Sequence, residues 1–148
     1  MKAIWFKEDL KIEDFSHFSQ GAHLVHHLGI SYTELGPDYL IGTMPLDERT
    51  RQPLGILHGG ASLVLAEALG SVSSTMVIDF EKYIAVGLEI NANHLRPVLD
   101  GPIQGVCKPI QLGKNIHVWE IKMYNHAGKM NCISRFTANI ISRDKLNS

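Results

Sequence analysis

The chain has little of several things, and each shortage excludes a class of protein. It has two cysteines, Cys107 and Cys132, in 148 residues, and no Cys-x-x-Cys. A disulfide scaffold and a cysteine-built zinc site are therefore excluded, and a reducing, cytoplasmic compartment is expected. Neither sign of charge is in excess. Fourteen Lys and Arg stand against 15 Asp and Glu, for a net charge of -1. A nucleic-acid-binding domain would be strongly basic, so no nucleic-acid partner is expected. Apolar runs stop far short of the ~18 residues of a membrane span, and the opening MKAIWFKEDLKIEDF is too charged for a signal-peptide core. No membrane partner is expected. There is no Gly-x-Ser-x-Gly elbow, no P-loop and no Gly-x-Gly-x-x-Gly after a strand, so serine-hydrolase, nucleoside-triphosphate and dinucleotide chemistry lack their motifs.

What is present is ordinary globular material, 45% hydrophobic and 20% charged. No repeat, low-complexity run or linker divides it. Residues 1–148 read as one domain, with 1–20 as an N-terminal extension carrying a short amphipathic helix at 7–19. A further turn of helix at 23–28 ends at Gly29, a plausible C-cap. Strands are expected at 30–35 and 39–45, around Gly36-Pro37-Asp38. The clearest element runs from Gly60 to about Val77. It is rich in Ala and Leu and apolar nearly all round, which marks a core helix. Four strands follow, at 84–95, 102–111, 116–124 and 130–142, the last two joined by Asn125-His126-Ala127-Gly128. Strands in runs about a single helix predict an α+β fold, with an antiparallel sheet wrapped around one long central helix.

Glu67 is the only ionisable group in that helix. A carboxylate among apolar neighbours is disfavoured in its charged form, and such groups cluster at functional sites. The plainer alternative is a solvent gap or a basic partner at a subunit interface. Ser71 lies one turn on, where it can hold a water or simply bond back to the helix. Gly59 and Gly60 open the helix. Its first N–H groups lack partners, and glycine allows close approach by a ligand, as oxyanion stabilisation needs. The alternative is a tight loop-to-helix turn. His58 and Gln52 add polar groups before the helix start, although neither is diagnostic alone. His23 and His27 have zinc spacing but no Glu general base between them, so no metal is expected. Basic groups gather later at His94, Arg96, Lys108 and Lys114, a scatter that suits a phosphorylated ligand or ordinary solvated surface.

Three blocks together carry a resemblance: RQPLGILHGGASLVLAEALGS, VGLEINANHLRP and GVCKPIQLGKNIHVWEIKMYNHAGK. They resemble the hotdog-fold acyl-CoA thioesterases, in the group with a catalytic Glu on the central helix that acts on 4-hydroxybenzoyl-CoA and 1,4-dihydroxy-2-naphthoyl-CoA. The resemblance spans residues 28–142 and is weakest over the first twenty or so. It implies that Glu67 is nucleophile or general base and that Gly59 N–H polarises the thioester carbonyl. His58 and Gln52 would orient the thioester end, and Ser71 would position the water. Gly87, His94, Leu95, Arg96 and Pro97, with Gln111, Leu112, Gly113, Lys114, Asn115 and Ile116, would line the CoA or acyl groove. It also implies a homotetramer, a dimer of dimers with sites between subunits, and no cofactor beyond the CoA of the substrate.

The leading reading is hydrolysis of an acyl-CoA, with an aromatic or medium acyl group, to acid and CoA. A non-catalytic acyl-CoA sensor on the same fold is the alternative from another class. A dehydratase or hydratase would pair His with a carboxylate in a different arrangement from Gln52, His58 and Glu67.

Overall fold

The computed structural model describes residues 2–147. Six strands, β1 (Ser31–Leu35), β2 (Leu40–Met44), β3 (Tyr83–His94), β4 (Ile103–Leu112), β5 (Ile116–Tyr124) and β6 (Met130–Ser142), make one sheet in the order β1-β2-β4-β5-β6-β3. All neighbours are antiparallel. Each strand begins and ends within one residue of its predicted bounds. The chain leaves β2, runs across the sheet as helix α2 (Gly59–Val77), and lands on the far edge as β3. It then fills the middle with β4, β5 and β6. This is the hotdog arrangement that the resemblance implies.

Sequence explains why the helix and sheet can close so tightly. Along β5, buried and half-buried residues alternate without a break, the period-two mark of a strand with one face on a core. The buried face of α2 is built from Ala66, Gly70, Ser73 and Ser74 between Leu65 and Leu69, which are fully buried. Small residues let the strands come near. A Cβ on Gly70 would lie 2.3 Å from the Phe136 ring, and one on Gly105 would lie 2.6 Å from Leu69 Cδ1. The buried serines have partners. Trp119 Nε1 donates to Ser74 Oγ at 2.7 Å, and Ser73 Oγ donates to Cys107 Sγ at 3.7 Å. A buried polar atom left unpaired costs ~1–3 kcal/mol, so these bonds are part of the packing. By length and composition alone α2 would suffice for a membrane span, with a mean hydropathy of 1.3, yet half of it is buried within the fold.

One expectation needs correction. The predicted helix at 7–19 is a 3-10 segment, Ile12–Ser19. Upstream the chain is strapped down. Trp5 Nε1 donates to Gly36 O, and Phe6 N to Met76 O, both at 2.8 Å, and the backbone from there to Lys11 is irregular. Asp14 then fixes the start by accepting from Lys11 N at 2.9 Å, and Phe15 plugs the core. The sheet wraps α2 as expected and leaves one line of the helix, through Val64, Glu67 and Ser71, facing a cleft walled by the N-terminal segment.

The short helix α1 (Leu24–His27) uses the predicted pattern differently from a metal site. His23 Nδ1 accepts from His26 N, and its Nε2 donates to Gln20 O at 2.6 Å. The ring is a cap. Gly29 follows α1 with φ +69, a left-handed conformation that suits glycine at a helix end.

Candidate active site

The helix start is held from behind. Thr50 is buried, its Oγ1 donating to Pro45 O at 2.9 Å and accepting from Asp47 N at 3.1 Å. Arg49 clamps the Asp47 carboxylate, holding it down to about 2, and also donates to His27 O at 2.7 Å. Thr50 O in turn accepts from His58 N at 2.8 Å. His58 is thereby fixed as the N-cap of α2, its Nδ1 accepting from Gly60 N at 2.8 Å. The proton of a neutral His58 ring then sits on Nε2. The next N–H along, that of Gly59, has no acceptor within the helix, as helix geometry requires of first-turn donors. A Cβ on Gly59 would stand 2.8 Å from His94 Nε2, so glycine permits the β3 terminus to press on the helix start.

Around Gly59 a cleft of about 330 Å³ has Gln52, Ser62, His94, Arg96 and Asn131 among its walls. Gln52 Oε1 accepts from Leu54 N at 2.9 Å, which leaves its amide NH₂ to reach a ligand. Arg96 Nη1 donates to Met130 O at 2.9 Å, anchoring the guanidinium beside the cleft.

Glu67 occupies a second cleft, of about 580 Å³, with Val64, Ser71, Phe18, His23 and Tyr32. Its carboxylate lies over Gly87, where a Cβ would be 2.8 Å from Oε1. Gly87 stands at an irregularity of the β3–β6 register, which reopens at Glu89. The absent side chain and the bulge make room for a carboxylate above the strand. Glu67 is exposed in the single chain, not submerged, because its face of α2 is the one the sheet leaves open. In the same cleft, burial pushes the Tyr32 phenol up, and in the core behind α2, where Ser73 meets it, burial pushes the Cys107 thiol up to about 12.

The predicted site residues therefore fall into three groups within one chain. Gly59, Gln52, His94, Leu95, Arg96 and Pro97 share the first cleft, with the exposed His58 capping the helix beside it. Glu67 and Ser71 share the second cleft, with Gly87 beneath the carboxylate. Leu112, Gly113, Lys114 and Asn115 line a third cleft with Val77 and Ile78, at the opposite end of α2, and Gln111 and Ile116 flank this loop. At ~1.5 Å per residue that end lies more than ~25 Å from Gly59, so the third cleft stands apart from the first. Sequence reasoning missed Phe18, His23 and Tyr32 as neighbours of Glu67. They lie thirty-five or more residues away along the chain, and no short spacing pattern could have joined them to it.

β3 adds a further feature. It is an edge strand twelve residues long, with Val86 and Leu88 exposed. Long open edges with apolar side chains are normally paired or covered.

Comparison with known proteins assigns the frame. A family model described as the thioesterase superfamily matches residues 54–132, which include the helix start, Glu67, Ser71, Gly87 and the later loop. The 1,4-dihydroxy-2-naphthoyl-CoA hydrolase of Escherichia coli is 44% identical over 138 residues, 93% of this chain and 99% of that protein. The proofreading thioesterase EntH of Cronobacter turicensis is 45% identical over 93% of this chain and 98% of its own length. Among solved structures, a mutant thioesterase of Pseudomonas aeruginosa superposes with a TM-score of 0.90 at 38% identity, covering 95% of this chain and 99% of that one. A thioesterase of Haemophilus influenzae gives 0.88 at 42% identity, covering 94% and 95%. With its sheet order, its central helix and these relatives, the chain belongs to the thioesterase superfamily and is a hotdog-fold thioester hydrolase.

Proposed function

We propose that the protein hydrolyses acyl-CoA thioesters, with aromatic or medium-length acyl groups, to the free acid and CoA. The observation that carries this reading is the placement of Glu67. It is an exposed carboxylate set over a strand glycine, one helical turn from the Ser71 hydroxyl, on an otherwise apolar helix face. The hydrolase of an aromatic acyl-CoA among its relatives supports the acyl class.

In this mechanism the thioester carbonyl oxygen accepts from Gly59 N–H at the positive end of α2, a donor of a kind worth ~2.7–4 kcal/mol to an oxyanion. His58 and Gln52 hold that end of the substrate. Glu67 acts in its ionised form. It either attacks the carbonyl carbon, expelling CoA thiolate and leaving a mixed anhydride that water opens, or takes a proton from a water held by Ser71. His94, Leu95, Arg96 and Pro97, Gly87, and the loop of Gln111, Leu112, Gly113, Lys114, Asn115 and Ile116 form the groove for the CoA and acyl portions. The chemistry needs no metal or further cofactor.

Within one chain the Gly59 and Glu67 clefts are separate. We infer that β3 edges pair between two chains, bringing Glu67 of one protomer to the Gly59 helix start of its partner, and that two such dimers form a tetramer. The exposed β3 edge supports this. The enzyme is expected in the cytoplasm, without nucleic-acid or membrane partners. Thiol release from benzoyl-CoA and palmitoyl-CoA tests the proposal. Turnover of either supports it. Binding of both with no thiol released turns the assignment to an acyl-CoA sensor.

A further inference from the structure

Two clefts run along the same face of α2. Glu67, Ser71 and Thr75 stand at successive i, i+4 positions and so form one line on the helix. The first two open on the Glu67 cleft. Thr75, with Met76 and Ile78, opens on a further cleft of about 560 Å³ toward the helix C-terminus. His17 and Phe18 of the 3-10 segment are walls of both. Phe18 is half-buried, its ring 6.4 Å from the fully buried Phe15 and 3.9 Å from His17. The segment is tied at its end, where His26 Nδ1 donates to Ser19 O at 3.1 Å.

The further cleft suits a hydrocarbon better than a charged group. Thr75 Oγ1 donates to Ser71 O at 2.9 Å, so its hydroxyl is spent on the helix and its methyl is left for contact. Phe6, Leu10, Met76 and Phe80 supply apolar walls, and the unbranched Met side chain adapts to shape. The charged walls, Lys7 and Arg143 with Asp9, Glu13 and Asp14, are of mixed sign, which leaves no one-signed field for a phosphate.

We propose that Phe18 is a specificity-determining residue that limits acyl-chain length. Its ring ends the acyl part of the Glu67 cleft and closes off the continuation beneath the 3-10 segment. This rests on the proposed acyl-CoA hydrolysis and extends it, in that the acyl group, bonded to the carbonyl carbon on which Glu67 acts, runs from there into the Glu67 cleft. From Ser71 to Met76 the helix advances ~7.5 Å, so removing the partition lengthens the available groove by several carbon atoms.

The test is kcat/KM over saturated straight-chain acyl-CoAs from hexanoyl to palmitoyl, for wild type, Phe18→Leu, Phe18→Ala and Phe18→Trp. Adding or removing a methylene's worth of pocket is commonly worth ~10-fold or more in specificity. The palmitoyl-to-octanoyl ratio is expected to rise about tenfold in Phe18→Ala, less in Phe18→Leu, and to fall in Phe18→Trp. A general packing defect would lower all substrates together and leave the ratio where it was. Unchanged ratios in all three folded variants overturn the proposal. If wild type releases no CoA from any ester, the thioesterase mechanism fails instead. Calorimetric affinities of the same series then decide the length limit, with the same ordering expected.

Discussion

Replacing Gly87 by alanine separates the catalytic demand at that position from any structural one. The added methyl would lie 2.8 Å from Glu67 Oε1, while its next neighbour, the Phe136 ring, is 3.4 Å away at an ordinary contact. To regain normal separation the carboxylate must retreat by roughly 0.6–1 Å. It is the free end of a flexible, exposed side chain, so it can move at little cost to the fold. Gly87 is not among the glycines with positive φ, so alanine meets no backbone strain. Stability is expected to be unchanged or to rise by ~0.4–1 kcal/mol, from reduced freedom in the unfolded chain. Catalysis has less tolerance. A displacement near 1 Å in a reacting group costs up to ~10²-fold, or about 2.7 kcal/mol of barrier. The assay pairs thermal unfolding with kcat/KM on benzoyl-CoA. An unchanged or higher Tm with kcat/KM reduced ~10- to 100-fold is the expected result. Full activity in a folded Gly87→Ala protein would show that the Glu67 position does not matter, and would refute the reasoning. Gly70→Ala is the contrast. Its methyl would meet the rigid, buried Phe136 ring at 2.3 Å and should cost ~1–3 kcal/mol of stability.

Ser74→Ala leaves the buried Trp119 N–H without its acceptor and should lower unfolding free energy by ~1–3 kcal/mol in denaturant titration; no change would mean that another group takes the bond. His117 is buried, and that burial, partly offset by the Gly113 carbonyl, holds its pKa below the usual 6.5. The unfolded chain therefore binds this proton more readily, so the contribution to stability is complete above 6.5 and is lost as the pH falls below it. His117→Gln should flatten the fall in Tm between about pH 7 and about pH 5, and an identical slope would contradict this. Cys107, with its thiol pushed up to about 12 in the core, should resist alkylation in the native protein at neutral pH and react only on unfolding. Fast native labelling at Cys107 would contradict its burial.

The strands were legible because their period is local. β5 alternates residue by residue, and a period of two survives any tertiary context in which one face is buried. α2 was legible for the opposite reason, its near-uniform apolarity. Uniformity hides direction, however, and the open face through Glu67 and Ser71 could not be told from the buried one. Of the settings weighed for Glu67, an apolar core or a solvent gap, the single chain has the gap, and the residues that share its cleft, from 17 to 32, are far off in sequence. The N-terminal segment is helical over less of its length than its amphipathic pattern predicts, and the bonds that tie it down, Phe6 N to Met76 O and Trp5 Nε1 to Gly36 O, are long-range and leave no local signal. The groove residues taken from the resemblance are split between the two ends of α2 in the single chain, a separation that no spacing in the sequence reveals. The pairing of Gly87 with Glu67 was available only from three dimensions. Its one trace in the sequence is a glycine inside a strand.

The account stands or falls on Glu67. Glu67→Gln replaces the carboxylate with an amide of nearly equal size, keeping the side chain over Gly87 while removing the group proposed as nucleophile or base. Free-thiol release from benzoyl-CoA by wild type and variant, at equal Tm, is the direct measurement. The account predicts a loss of ~10²-fold or more in kcat. A folded Glu67→Gln enzyme that releases CoA at the wild-type rate would contradict it.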